Sequence, residues 1–146
     1  MAALTKSVAI ARKSWGGDVI GRFDATGVFY AGSLVVEDGS AATGVKKATG
    51  TSGFKGISLG EAAVGDVVDV LELGYIRTSI NSSVSAGDEG TTVYADVANT
   101  SDNPTDITKT STSNLPVGKI SSVEVAGAAG VNRVVIRIAG DGHRSI

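Results

Sequence analysis

A chain of 146 residues with no cysteine and 42% apolar residues has room for one domain, or two small lobes on a common core. It excludes a disulfide framework and a thiolate metal site. A net charge of −2 gives no support for binding a nucleic-acid backbone, and no apolar run approaches the roughly 20 residues of a membrane-spanning helix.

Residues 1–17 read as an arm. Lys6, Arg12 and Lys13 give it three positive charges and no acid, so the remainder carries −5 against a whole-chain charge of −2. Its stretch Val8-Ala9-Ile10-Ala11 is too short and interrupted for a signal peptide, and the expectation is a soluble protein that works without secretion. The arm ends at Trp15 and a Gly16-Gly17 hinge; Trp15 fits two roles, ordinary core packing or an anchor on a partner protein.

From Asp18 onward the apolar residues are mostly Val, Ile and Ala with only 5% aromatics, and β-branched side chains favour strands. Short bursts follow one another at 19–23, 28–30, 34–36, 56–59, 67–78, 91–94, 117–125 and 133–138, each ended by turn chemistry such as Asp24-Ala25-Thr26-Gly27 or Glu37-Asp38-Gly39. Twenty glycines against two prolines supply those turns. The pattern predicts an all-β, sandwich-like or barrel-like domain over 18–146. Segments 39–53 and 96–114 are rich in Ser, Thr, Asn, Asp and Gly, and both read as exposed loops and flap candidates. Asn81-Ser82-Ser83 and Asn99-Thr100-Ser101 fit the glycosylation pattern, but without a secretion signal they are ordinary loop composition.

An internal repeat is the most informative feature. At an offset of 65, Val70-Leu71-Glu72-Leu73 falls on Val135-Ile136-Arg137-Ile138, and Gly65 on Gly130. Upstream, Gly56-Ile57-Ser58 matches Lys119-Ile120-Ser121 at an offset of 63. Approximate copies at 31–80 and 86–140 are too short to bury separate cores. They are expected to pack face to face as one compact, pseudo-symmetric domain.

Catalytic motifs fare poorly. Gly56-Ile57-Ser58-Leu59-Gly60 fits the nucleophile elbow of the α/β-hydrolases, which needs a helix after it and a His and an acid later in the chain. Here the next residues lead into another strand, and the only histidine, His143, stands three residues before the last position given, in a segment read as a disordered tail. Ser121 recurs at the place equivalent to Ser58, which marks the serine as framework. Gly118-Lys119 resembles the end of a phosphate-binding loop, but Ser113 occupies the position of its first glycine. Asp96, Asp102 and Asp106 lack the alternating spacing of a calcium loop and read as solvated. Lys46, Lys47 and Lys55 have no interleaved aromatics and also read as solvated. The expectation is a non-enzyme with no catalytic residue, metal or cofactor.

The stretches 65–74 (GDVVDVLELG), 86–96 (AGDEGTTVYAD), 105–113, 115–121 and 134–138, in that order, resemble the capsid decoration (cement) proteins of tailed bacteriophages, small head proteins with two tandem β-repeats. The likeness runs over about 18–139; the insertion Glu89-Gly90-Thr91 and the long lead depart from it. The resemblance implies a homotrimer on the outer surface of the virion head, made in the host bacterial cytoplasm, that clamps neighbouring major capsid protein subunits. It implies no nucleic-acid or membrane partner. It also implies an extended N-terminal arm that engages the shell, which points to Lys6, Val8, Ile10, Arg12, Lys13 and Trp15 as capsid-binding residues, with 6–12 able to add an edge strand to a neighbouring sheet. Two other readings stay open: a β-sandwich module that binds a glycan or host surface through 39–53 and 96–114, and another virion part such as a tail-tube or connector subunit.

Overall fold

The computed structural model describes residues 3–8, 11–13, 17–39 and 43–143. The chain is all-β, and its few helical segments are single 3-10 turns. In chain order the strands are β1 (Ala11–Lys13), β2 (Val19–Ala25), β3 (Leu34–Glu37), β4 (Gly44–Lys47), β5 (Phe54–Ser58), β6 (Val67–Thr78), β7 (Thr92–Ala95), β8 (Leu115–Val125) and β9 (Arg133–Ala139).

Five of these strands close a barrel. Antiparallel pairings run from β2 to β6, β6 to β5, β5 to β3 and β3 to β4. The ring is sealed by a short parallel pairing of β4 with β2, in which Asp24 faces Gly44 and Ala25 faces Val45. Ala25, Phe29, Val35, Val45, Ala62, Val68 and Val70 fill the interior, with Phe23 packed against them.

The twelve-residue β6 leaves the barrel at its C-terminal half. There it pairs with β9, Ile76 facing Ile136, and β8 and β7 follow in the same sheet. A larger second core forms where the outer face of the barrel meets this extension. Leu34, Val36, Ile57 and Leu71 from one side join Val93, Leu115, Val117, Ile120, Ile136 and Ile138 from the other. Leu34-Val35-Val36 is therefore buried on both faces, Val35 in the barrel and its two neighbours in the second core. Such a wall strand reads as a continuous apolar run, not as an alternation.

The internal repeat reappears as hairpin geometry. Ile57 faces Leu71 across β5–β6, and Ile120 faces Ile136 across β8–β9. These are the residues that the offsets of 63 and 65 superpose. The copies differ in context, because the first is closed into a barrel and the second lies in the open part of the sheet.

Three expectations change. The segment 39–53 is not all loop, for it contains β4, the strand that closes the barrel. Val45 is the only residue of Gly-Val-Lys-Lys with a large apolar side chain, so local pattern was silent. The segment 96–114 is no flap: Ser101, Asp102, Asp106, Ile107, Thr108 and Asn114 are all buried. Its short polar side chains satisfy its own backbone instead of water, as where Asn103 accepts the Thr105 N–H and Asn114 accepts that of Ala98. Residues 140–143 fold back onto the barrel. Asp141 accepts the Gly53 N–H at 2.7 Å, and the His143 N–H reaches the Gly140 carbonyl.

Candidate functional surface

Residues 4–8 and 11–13 lie along the junction between the two copies, held mainly through their backbone. The Leu4 N–H donates to the buried Asp102 carboxylate at 2.8 Å. Ser7 Oγ accepts the Ala31 N–H, and the Val8 N–H donates to the Ala31 carbonyl at 3.0 Å. Val8 sits over Gly32, where an added Cβ would fall 2.4 Å from its methyl group, so this turn needs a glycine. β1 then pairs antiparallel with β6, Ala11 facing Arg77 and Lys13 facing Tyr75. Beside it lies a groove of about 290 Å³ lined by Val8, Ala11, Ile76, Thr78 and Pro104, among others.

Of the six residues expected on this surface, Lys6 is exposed and Val8 half-buried. Arg12 forms an ion pair with Asp18 at 2.5 Å, and Lys13 lies in β1. Ile10 and Trp15 lie outside the described residues. Residues 11–13 form an edge strand on β6 of their own chain.

β1 and β2 run along the same edge of β6, one after the other. From Lys13 to Val19 the chain advances six residues, while the facing residues on β6, Tyr75 and Leu73, are two apart. The connection is thus four residues longer than the edge it spans.

The remaining candidates have structural partners. Ser58 is fully buried in β5, and its hydroxyl donates to the Gly60 carbonyl at 2.6 Å. His143 approaches Glu72 at 3.6 Å, and Lys55 approaches the same carboxylate at 3.7 Å while lying over the Phe23 ring. Lys46 and Lys47 lie on β4, the second of them exposed. Asp96 accepts the Asn99 amide, Asp102 the Leu4 N–H and Asp106 the Ser101 hydroxyl, so none of the three is the solvated residue expected. Gly118 is in the middle of β8, where a Cβ would meet the Arg137 carbonyl at 2.1 Å; close strand approach accounts for it. Among the described residues no group of three His, Asp or Glu could hold a metal ion.

The sequence reading overlooked a second surface. The β5–β6 turn exposes Val64 (68%) and Val67 (60%), and the equivalent β8–β9 turn exposes Val131 (70%) and Val125 (41%). Each copy thus presents an apolar pair at its hairpin tip. The signal was available: these valines stand in or beside Ala/Gly turns.

No protein-family model matches the chain, and no curated protein does. Among solved structures it is similar to the head fiber gp8.5 N base of bacteriophage phi29, at 13% identity over 84% of this chain and 95% of that one, with a TM-score of 0.45.

Proposed function

We propose that this chain is a structural protein of a bacteriophage head, one that binds the outer surface of the shell and stabilises it by bridging major capsid subunits. The doubled hairpin supports this reading most directly. The stretches that resemble cement proteins are the ones that build β6, β7, β8 and β9, and the pair Ile57–Leu71 of one copy recurs as Ile120–Ile136 in the other. A β-body with two cores on either side of a common wall is stiff, as a bridging element must be. Exposed Lys6 in the arm and the paired valines at the two hairpin tips are the contact points that such a surface offers. Each contact is small, and repetition around a closed lattice supplies the avidity. In this reading the protein acts as a homotrimer and performs no chemistry.

The test is to mix the purified protein with heads that lack it and to image them. Regularly spaced density on the outer surface, together with heads that resist heat or dilution better than bare ones, is the expected result. Among the described residues of the segment 1–14 none belongs to either core, so a chain lacking that segment should stay folded and soluble but no longer bind. Full-length protein that leaves bare heads undecorated at saturating concentration would overturn the proposal.

A further inference from the structure

A closed ring of three, as proposed above, cannot be built from one self-complementary patch; each copy must carry two different surfaces that fit each other. We infer that the exposed β5–β6 turn is one of them and the outer face of β6, β9 and β8 the other, so that the turn of one copy docks on the face of the next. The inference rests on the homotrimer and not on binding to a head.

The turn is apolar and acidic. Val64 and Val67 are exposed there, and Val28, also exposed, lies beside them through the bridge of Phe29 with Ala62. Glu61 and Asp66 flank Val64 and are exposed too, and residues 59–68 contain no Lys or Arg. The face is basic. Lys119 and Arg137 stand directly opposite each other across β8–β9 and so project on one side of the sheet. Arg133, four residues from Arg137 on β9, projects on that side as well, and Arg77 joins it through Glu124, which both arginines contact. Four cations thus share one acid. Like charges directly opposite in a sheet are unfavourable, and among the described residues no acid pairs with Lys119 or Arg137. An incoming carboxylate relieves a repulsion that the fold leaves in place. Val125, which faces Arg133, and Val131 give the face an apolar margin.

Charge selects the symmetry. Two acidic turns repel, as do two basic faces, so the contact joins unlike surfaces and excludes a two-fold dimer. Val67 opens β6, and Thr78 closes it opposite Val134 of β9, eleven steps or about 36 Å away, so a copy does not cover its own face with its own turn. The turn extends along the strands, whereas the side chains of the face stand across them; successive copies are therefore rotated relative to one another, as a ring requires. A few valines and charges bury far less than the roughly 1,200 Å² of a stable pair, so dilute chains stay apart and ring closure supplies the rest. The tips then serve contacts between copies, and the arm is left for the shell.

Sedimentation of the full chain tests this without heads. At about 20 mM salt the average mass should rise from one chain towards three as protein is raised from about 10 μM to about 1 mM, and about 0.5 M salt should reverse the rise. Lys119→Glu with Arg133→Glu reverses the face. Glu61→Lys with Asp66→Asn reverses the turn, the Asn keeping an oxygen for the Ala63 N–H that Asp66 accepts. Either pair should weaken association about tenfold or more, and the chain carrying all four, its surfaces complementary again, should recover it. All four positions are exposed, and melting curves near the parent's verify the fold of each variant. A chain that stays monomeric at the highest concentration overturns the inference and the homotrimer together. A trimer indifferent to either reversed pair, or a fourfold variant that melts like the parent and does not recover, overturns the inference alone.

Discussion

Replacing Asn132 should cost this chain a large share of its stability. Asn132 is 1% exposed and stands where the β8–β9 turn meets the segment leaving β6. Its Oδ1 accepts the Ile80 N–H at 2.9 Å, and its amide donates to the carbonyls of Ser82 at 2.8 Å, Ala128 at 3.0 Å and Ile80 at 3.2 Å. Two N–H bonds serve three acceptors, so the site amounts to about three full hydrogen bonds at roughly 1 kcal/mol each. Asn132→Ala also strands the buried Ile80 N–H, for a further 1–2 kcal/mol or so, giving a loss of about 4 kcal/mol. That is a large part of the roughly 5–15 kcal/mol typical of a whole domain, and corresponds to a melting temperature lower by on the order of 10 °C. Urea titration at unchanged slope measures it. Asn132→Asp sharpens the test. The carboxylate keeps the Ile80 contact but turns a negative charge on three carbonyl oxygens, so at neutral pH it should be the less stable of the two variants. Its folded-state pKa is then raised, and the loss should shrink as pH falls and the group protonates. An alanine variant within about 1 kcal/mol of the parent, or an aspartate variant whose deficit does not ease in acid, refutes this account of the site.

Two further outcomes follow from the same structure. Gly56→Ala and Gly118→Ala each place a Cβ 2.1 Å from a carbonyl of the facing strand, Leu71 and Arg137 respectively, whereas a Cβ at Gly87 meets nothing closer than 4.0 Å. The first two should melt on the order of 10 °C lower or fail to fold, and Gly87→Ala should melt with the parent; a parent-like melt for Gly56→Ala would show that the approach of β5 to β6 relaxes freely. The Asp88 carboxyl is held below its ordinary value of 3.8, first by the Ser85 N–H and then by Lys109. A lowered folded pKa adds stability above the ordinary value and loses it as pH falls through the folded one, so Asp88→Asn should melt below the parent near neutrality and converge with it in strong acid. Parallel melting curves across that range would contradict the assignment.

The strands whose burial is written in local pattern were legible in the sequence. β6 was read as a burst over 67–78, its bounds in the structure, and the two repeat offsets matched the residues that turn out to occupy equivalent places in the two hairpins. β4 was not legible, because closing the barrel depends on a parallel pairing with β2 that no local signal encodes. The same limit hid the fate of the aspartates. Composition says that a segment rich in Asp, Asn, Ser and Thr prefers water. It cannot say that Asp102 will take the Leu4 N–H from the far end of the chain, or that Asp106 will take the Ser101 hydroxyl. Of the candidate surface, the arm was found from its charge. That it lies on its own body was invisible, since the bonds holding it are main-chain bonds.

The wall strand β3 has a consequence for how the molecule comes apart. Val35 belongs to one core, and Leu34 and Val36 to the other. Pulling β3 away therefore opens both cores at once, and neither can melt while the other keeps its shape. The pseudo-repeat did not produce two units that breathe separately; it produced a single cooperative body. A load arriving at the β8–β9 tip is borne by the barrel as well, through a partition only one strand thick.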